Sequence, residues 1–316
     1  MAGGESACGA NGSVAVTRHL LDIEHLARAD IASLLARAGE LAAGASCASR
    51  AGTVANLFLE PSTRTRVSFQ MAARRLGLDV VNIEQQHSSA SKGESLADTA
   101  RTLAAMGVRA IVLRHPEDFA ASELAAALAG AEIGIVNAGD GQHAHPSQAL
   151  LDAATLAHAG FEWSGLKLAI VGDIRHSRVA RSDIALLSRL GAAEIRIAGP
   201  AEFMPDPDEL PEAMRMPDID TALDGIDALI CLRIQRERMA ASGYLDGAAF
   251  HQRWGLTADR LAAMPDRARF LHPGPVNRGV EIADGLVDSP RALILEQVRI
   301  GVHLRTALFE WLIDAA

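Results

Sequence analysis

Short apolar runs alternate with segments of helical periodicity along this chain, and this alternation limits the possible folds more than any other feature of the sequence. In the first half, the strand-like runs are TVANLFLE, LDVVNIE, RAIVLRH and IGIVNAG. A second series begins at GLKLAIVGD and continues through AEIRIAG, IDALICL and RARFLHPGP. Strands that alternate with helices form parallel sheets with the helices packed on their faces. The sequence therefore predicts an α/β fold of two doubly wound parallel-sheet domains.

The length and composition of the chain fit two domains. With 316 residues, of which 49% are hydrophobic, the chain suits two domains of about 150 residues each. We predict a first domain over residues 1–149 and a second over residues 150–289. The apolar spacing of residues 290–316 predicts a long amphipathic helix that returns to pack on the first domain. Another helix is predicted from about Leu21, and the acidic, proline-rich segment from Pro200 to Asp220 predicts a surface loop.

The charge, the cysteines and the glycine pattern argue against several classes of protein. A formal net charge of −9 does not favour a broad basic surface for nucleic acid or for an anionic membrane. Cys8, Cys47 and Cys231 are far apart and indicate neither a disulfide framework nor a zinc site. The first residues have neither the basic nor the apolar region of a secretory signal, and we predict a cytoplasmic location. The sequence has no P-loop motif, and only Gly172 stands where a dinucleotide fingerprint needs three glycines.

The stretch FLEPSTRTRVSF places three hydroxyl groups and two guanidinium groups in five consecutive positions after a predicted strand. The residues concerned are Ser62, Thr63, Arg64, Thr65 and Arg66. A helix that follows a strand of a parallel sheet directs its first N–H groups to the ligand-binding edge of that sheet. These N–H groups, the hydroxyls and either guanidinium group complement a phosphate dianion. The alternative is an ordinary helix cap with solvated arginines. Five polar residues in a row argue against this alternative.

Other polar side chains recur where predicted strands end. They are Arg114, His115, His145, Gln148, Arg233 and Gln235. Each is weak evidence alone, because an arginine at a strand end is usually solvated and a lone histidine is usually a structural hydrogen-bonding group. Strands of one parallel sheet end on one edge, however, so their terminal groups converge there. A site of arginine, lysine, histidine and hydroxyl groups suits anionic substrates and a transition state that gathers negative charge.

Several longer motifs follow one another along the chain. They are FLEPSTRTRVSF, KGESLADT, LRHP, NAGDGQHAHPSQALLD, VGDIRHSRVARS, LRIQRER and HPGPVNRGVEI. From about residue 17 onward the chain thereby resembles the transcarbamylase family, and in detail it looks like the aspartate-specific catalytic chains. The resemblance implies one domain for carbamoyl phosphate, one for aspartate and a site between them. It also implies transfer of the carbamoyl group to L-aspartate, the committed step of de novo pyrimidine biosynthesis.

For carbamoyl phosphate, the resemblance implies a complete set of ligands. The phosphate would be held by Ser62, Thr63, Arg64, Thr65 and Arg114. The side chains of Thr65, Arg114 and His145 would also polarise the carbamoyl carbonyl oxygen, as an oxyanion hole does. The carbamoyl NH₂ group would be held by Gln148 and by the backbone carbonyls around Gly274 and Pro275. The family thereby implies that the carbonyl carbon is oriented for attack.

For aspartate, the resemblance implies guanidinium groups that bind the two carboxylates. The matching positions are Arg178, Arg233 and Gln235. Lys92 matches a lysine that enters the site from a neighbouring subunit and touches both ligands. Ser88 is our choice for the serine that accompanies it, with Ser89 one position away. These matches imply an obligate homotrimer with shared active sites.

The family implies catalysis by positioning and electrostatics, with no protein nucleophile, metal or organic cofactor. The sequence leaves open whether regulatory or dihydroorotase-like chains join the trimer. Inside the motifs, we interpret Glu60, Arg66 and Glu94 as salt-bridging groups and His143 and His176 as local hydrogen-bonding groups.

Three alternatives to an aspartate-specific enzyme fit the sequence less well. An ornithine carbamoyltransferase shares the phosphate motif, but it typically carries HCLP where this chain has HPGPVNRG, and it must receive a cationic side chain. A non-catalytic relative would be expected to have lost some of Arg64, Lys92, Arg114, His145, Arg178 and Arg233, all of which are present. An oxidoreductase lacks its glycine fingerprint here. Gly274, where related chains often have Ala or Leu, predicts a more flexible loop with retained activity.

Overall fold

The computed structural model describes residues 17–84, 94–234 and 247–314, and strands alternate with helices along them. The β-strands are β1 Thr53–Phe58, β2 Asp79–Glu84, β3 Val108–His115, β4 Gly134–Asp140, β5 Lys167–Val171, β6 Glu194–Ala198, β7 Met214–Arg215, β8 Ala228–Cys231 and β9 Arg269–Leu271. The α-helices are α1 Arg28–Ala42, α2 Thr63–Arg75, α3 Leu96–Ala105, α4 Ala120–Ala127, α5 Pro146–His158, α6 Arg178–Leu190, α7 Ile219–Leu223, α8 Gly247–Trp254, α9 Ala258–Ala263 and α10 Ile294–Ile313. Short 3₁₀ helices span Trp163–Gly165, Ala201–Phe203 and Asp284–Leu286.

The first sheet has the strand order β2-β1-β3-β4, and all of its pairings are parallel. Side chains of one strand alternate between two apolar cores, as Val54 and Ala55 of β1 do. Helices α1, α2, α5 and α10 form the core on one face, and α3 and α4 form the core on the other. The sheet is therefore doubly wound, as predicted.

The second sheet has the order β7-β6-β5-β8-β9 and is also entirely parallel. Helix α6 covers one face, and α7, α8 and α9 cover the other. Helix α5 touches both units, because its Leu150 lies in a core of the first sheet while its Leu156 lies in a core of the second. Two doubly wound parallel sheets confirm the predicted fold class. The proposed division between residues 149 and 150 stays a prediction.

The C-terminal helix α10 returns to the first sheet, as the sequence predicts. The Phe309 ring packs edge-on against Phe69 of α2, with 5.7 Å between the ring centroids. One turn earlier, the buried Arg305 donates a hydrogen bond of 2.7 Å to the Ser68 hydroxyl. Helix α10 therefore packs on the same layer of helices as α1, α2 and α5.

The structure differs from the sequence prediction in two places. The helix predicted from about Leu21 begins only at Arg28. The preceding segment instead pairs with the edge of the first sheet, where the Leu20 N–H donates to the Ile135 carbonyl at 2.8 Å. The predicted loop from Pro200 to Asp220 contains strand β7, which pairs with β6, and the start of α7. In both places backbone pairing at a sheet edge determines the local structure, and apolar periodicity does not report it.

Each sheet reverses its strand order once, between β1 and β3 in the first sheet and between β5 and β8 in the second. Ligands of open α/β sheets bind beyond the carboxyl ends of the strands at such reversals. Among the helices of the described residues, none combines the length and apolarity of a membrane span.

Candidate active site

A cavity of about 820 Å³ lies between the carboxyl edges of the two sheets. Its walls are the segments after β1, β3 and β4 of the first sheet, those after β5, β8 and β9 of the second, and part of α10. The sequence-predicted residues that meet there are Ser62, Thr63, Arg64, Thr65, Arg114, His145, Gln148, Arg178, Arg233, Gly274 and Pro275. Both strand-order reversals therefore open into one cleft.

The N-terminus of α2 forms one wall of this cleft. Ser62 precedes the helix in an extended conformation, and its side chain makes no capping hydrogen bond among the described residues. The first intrahelical bond closes at the Arg66 N–H, which donates to the Ser62 carbonyl at 3.2 Å. Helix geometry leaves the N–H groups of Thr63, Arg64 and Thr65 without intrahelical acceptors. The cleft thus receives N–H groups, hydroxyls and the positive end of a helix dipole together, an arrangement that suits a phosphate.

The Arg64 guanidinium faces the loop that follows β9. Gly274 has a φ of +74°, and a Cβ atom at this position would overlap the Arg64 guanidinium. The absence of a side chain at Gly274 therefore makes room for the Arg64 guanidinium, a role that the sequence prediction of a flexible loop did not include. Arg64 is open to the cleft, but partial burial and the positive charge of Arg233 both lower its pKa. Two cations facing the same space create a site for a strongly anionic ligand.

Glu60 joins the two sheets through two arginines. Its Oε2 lies 2.6 Å from Nη2 of Arg178 and 3.3 Å from Nε of Arg114. Arg178 also donates to the Gly141 carbonyl at 3.0 Å, and Arg114 donates to the Ala138 carbonyl at 3.1 Å. Burial and the charge of Arg178 lower the pKa of Arg114 to about 10, so Arg114 remains a cation at neutral pH. The interpretation of Glu60 as a salt-bridging group agrees with this geometry.

His145 is a buried neutral imidazole at the start of α5. It is 4% exposed, and its backbone N–H donates to the Ser182 hydroxyl at 2.9 Å. Burial lowers its pKa well below 6.5, and the charges of Arg114 and Arg178 add to this effect. The Ser147 hydroxyl lies 3.4 Å from His145 Nδ1. If this hydroxyl donates to Nδ1, the proton of the neutral ring is on Nε2, which becomes a hydrogen-bond donor.

Four sequence-predicted positions lie outside the described residues. They are Lys92, Ser88 with its neighbour Ser89, and Gln235. The predicted contribution of a neighbouring subunit therefore stays a prediction.

Three histidines near the strand ends make local contacts. His143 Nδ1 lies 3.2 Å from Asp140, and His176 Nδ1 lies 2.8 Å from Asp173, in agreement with their interpretation as local hydrogen-bonding groups. His115 accepts the Glu117 N–H at 3.1 Å and thereby shapes its own loop.

The structure also brings buried polar residues to the cleft that the sequence reading missed. Ser68, His272, Gln297 and Arg305 line the cleft, and the buried Asp152 lies behind it. Asp152 shares a helix face with Gln148 four positions earlier, a spacing at which side chains meet. That spacing is a signal that could have been noticed, whereas the other contacts join distant parts of the chain.

The fold and the cleft define a two-domain α/β enzyme that binds anionic substrates. A family model described as the carbamoyl-phosphate-binding domain of aspartate/ornithine carbamoyltransferase matches residues 18–158. A second model, described as the Asp/Orn-binding domain of the same family, matches residues 164–312. The chain belongs to the aspartate/ornithine carbamoyltransferase family.

Individual relatives agree with this family. The chain is 50% identical to an aspartate carbamoyltransferase catalytic subunit of Xanthomonas campestris pv. campestris, over 94% of this chain and 96% of the relative. A solved aspartate transcarbamoylase of Trypanosoma cruzi, in complex with N-(phosphonacetyl)-L-aspartic acid, is 31% identical. It matches with a TM-score of 0.81, over 93% of this chain and 95% of that one. An ornithine carbamoyltransferase of Pyrococcus furiosus is 25% identical with a TM-score of 0.80, over 93% and 97% of the two chains.

Proposed function

We propose that this protein is an aspartate carbamoyltransferase, which converts carbamoyl phosphate and L-aspartate to N-carbamoyl-L-aspartate and phosphate. The observation that carries this function is the convergence of four arginines from both sheets on one cavity. They are Arg64, Arg114, Arg178 and Arg233. Because a phosphate and a dicarboxylic amino acid bring several negative charges to one place, both require such a cleft.

The first substrate binds at the start of α2. Ser62, Thr63, Arg64 and Thr65 hold the phosphate with Arg114, and the helix N–H groups add to these contacts. Thr65, Arg114 and neutral His145 donate to the carbamoyl carbonyl oxygen, where negative charge develops in the transition state. Gln148 and the carbonyls around Gly274 and Pro275 accept from the carbamoyl NH₂ group. The carbonyl carbon is thereby fixed for attack.

The second substrate binds on the opposite wall. Arg178, Arg233 and Gln235 bind the two carboxylates of aspartate, and Lys92 contacts both ligands. The aspartate amine attacks the carbonyl carbon, a C–N bond forms, and the resulting tetrahedral intermediate breaks its C–O bond to phosphate. The leaving phosphate takes the amine proton. Holding the two reactants in this geometry accounts for most of the rate enhancement.

Aspartate is favoured over ornithine as the acceptor by sequence rather than by fold. The TM-scores for the aspartate and ornithine enzymes named above, 0.81 and 0.80, do not separate them. The 50% identity to an aspartate-specific catalytic subunit favours the aspartate enzyme. Arg178 and Arg233 on the acceptor side of the cleft also fit a dicarboxylate better than a cationic side chain.

We propose that the protein acts as a cytoplasmic homotrimer with shared sites. Val67 and Met71 of α2 and Val81 of the edge strand β2 are 44%, 46% and 42% exposed, although they are apolar. Val67 and Met71 lie on the helix that begins at the phosphate site, and Val81 lies on the strand before the segment that carries Ser88 and Lys92. A second copy of the chain would cover this surface and bring its own Lys92 to the site. Regulatory or dihydroorotase-like chains are further partners that such a trimer could join.

Product formation tests the function directly. Carbamoyl phosphate labelled with ¹³C at the carbonyl carbon is incubated with the full chain and L-aspartate, and ¹³C NMR follows the label. The label is expected in N-carbamoyl-L-aspartate, and an Arg233→Ala variant is expected to form it at least about tenfold more slowly. Label that stays in carbamoyl phosphate or its hydrolysis products would contradict the assignment.

A further inference from the structure

Asp152 lies behind the cleft and binds two glutamine side chains at once. It is 2% exposed, on the inward face of α5. Its Oδ1 accepts from Gln148 Nε2 at 2.8 Å and from Gln297 Nε2 at 2.7 Å. Gln297 lies on α10, so the carboxylate joins two helices that are distant in sequence.

The second glutamine continues this chain of hydrogen bonds to the loop after β9. Gln297 Oε1 accepts the backbone N–H of His272 at 2.9 Å. His272 Nδ1 in turn accepts the backbone N–H of Gly274 at 2.8 Å. Asp152 is therefore connected both to Gln148 and to the backbone at Gly274, the two places assigned to the carbamoyl NH₂ group.

The charge state of Asp152 determines how these amides are oriented. An ionised carboxylate accepts hydrogen bonds and donates none, so both glutamines must turn their NH₂ groups toward it. The Gln148 carbonyl oxygen is then left as the group that faces the cleft, where Gln148 is part of the wall. Without this carboxylate, the Gln148 amide could turn its NH₂ group toward the substrate instead.

A buried carboxyl group is costly, so its presence here needs a reason. Burial raises the pKa of Asp152 to about 7, while the two glutamine amides and the Arg305 guanidinium favour the ionised form. Asp183 of α6 is a second buried carboxyl nearby, and neither of its oxygens has a hydrogen-bond partner among the described residues. An apolar side chain at position 152 would join α5 and α10 at a lower desolvation cost. A carboxylate, unlike an apolar side chain, also fixes the orientation of both glutamine amides.

We infer that Asp152 is a positioning residue that makes the site select an NH₂ group on the acyl carbon of the phosphate substrate. It does so by presenting two acceptors, the Gln148 carbonyl oxygen and the backbone carbonyl at Gly274, and no donor. This inference rests on the proposed function, because carbamoyl phosphate is the acyl phosphate with that NH₂ group. Acetyl phosphate, which carries a methyl group in its place, gains nothing from the two acceptors.

The test compares these two ligands in an isosteric variant. Asp152→Asn keeps the shape of the side chain but can donate as well as accept, so the orientation of Gln148 is no longer imposed. Dissociation constants for carbamoyl phosphate and acetyl phosphate are measured by calorimetry at pH 8, where Asp152 is mostly ionised. Asp183→Asn is the matched control, because it replaces the neighbouring buried carboxyl by an amide of the same shape and leaves the acceptor of Gln148 in place. Phosphate release with L-aspartate is followed in parallel.

We expect Asp152→Asn to weaken the binding of carbamoyl phosphate about tenfold, as the loss of one supporting hydrogen bond would. The dissociation constant of acetyl phosphate should change by less than about twofold. Asp183→Asn should preserve the preference between the two ligands, and Gln297→Met should reduce it in the same direction as Asp152→Asn. Equal weakening of both ligands would mean that Asp152 only supports the packing of the helices, and unchanged binding would also overturn the inference. If the wild-type chain binds carbamoyl phosphate but releases no phosphate with aspartate, the proposed function fails, and the two dissociation constants still decide the role of Asp152.

Discussion

Two histidines only two positions apart have opposite pKa shifts because their surroundings differ. Burial and neighbouring arginines lower the pKa of His145 well below 6.5, whereas the Asp140 carboxylate raises the pKa of His143. We expect the imidazole ¹⁵N shifts of His145 to remain those of a neutral ring from pH 8 to pH 6, while His143 is protonated over part of that range. A His145 ring that titrates near pH 6.5 would contradict its assignment as a neutral donor.

The same pKa shifts give opposite effects on stability. Because the folded state resists protonation of His145, the unfolded state binds that proton first, and the free energy of unfolding falls as the pH drops below about 6.5. The contribution of His143 is present below 6.5 and is lost as the pH rises through its raised folded-state pKa. Urea unfolding of His145→Gln and His143→Gln between pH 5 and pH 8 should show these two signs.

Arg64 is the residue whose loss should damage phosphate binding most. Arg64→Ala removes the guanidinium group beside Gly274 and should lower kcat/KM for carbamoyl phosphate by about 10²- to 10³-fold. Arg101→Ala is the control, since this exposed arginine of α3 pairs only with Asp98 among the described residues. Steady-state kinetics check the prediction. Comparable kcat/KM values for Arg64→Ala and the wild type would show that Arg64 does not bind the phosphate.

At the residue scale, the sequence revealed local groups and missed distant ones. The hydroxyls and arginines from Ser62 to Arg66 are consecutive, so one strand and one helix start place them together. The pair of Asp152 and Gln297 is separated by 145 positions, and the pair of Ser68 and Arg305 by 237. Local periodicity carries no information on such pairs, since only the packing of α10 on α2 and α5 creates them.

At the scale of elements, the Glu60 bridge connects the turn before α2 with the start of α6. Glu60→Gln keeps the size of the side chain but removes the charge that holds Arg114 and Arg178 together. We expect kcat/KM for aspartate to fall about tenfold, a moderate loss because Glu60 is partly exposed. Glu40→Gln, which changes an exposed ion pair on α1, should leave the kinetics unchanged. Wild-type values for Glu60→Gln would show that the bridge does not position Arg178.

Strands and helices could be predicted from the sequence where one apolar period extends over many residues. The strands and the helices packed on them follow the alternation in the sequence, because each buries a repeated apolar face. The segment after Leu21 shows the limit of this signal. Its Ile23 and Leu26 are buried with helix-like spacing, yet the helix begins only at Arg28 because the backbone at Leu20 pairs with the sheet edge.

At the scale of the whole molecule, shared sites make a quantitative prediction. If Arg64 and Lys92 of one site come from different subunits, each mixed trimer of Arg64→Ala and Lys92→Ala chains has one intact site. Random reassembly of equal amounts should then restore about a quarter of wild-type activity in a closed threefold ring. Each variant dissociated and reassembled alone is the control. Mixtures no more active than the separate variants would exclude sites shared in this way.

The acceptor specificity of the assembled protein tests the central claim most directly. Initial rates of phosphate release from carbamoyl phosphate are measured with L-aspartate and, separately, with L-ornithine. We predict release that saturates with L-aspartate and no acceptor-dependent release with L-ornithine, because Arg178 and Arg233 provide positive charge for two carboxylates. Release that depends on L-ornithine and not on L-aspartate would contradict the proposed function.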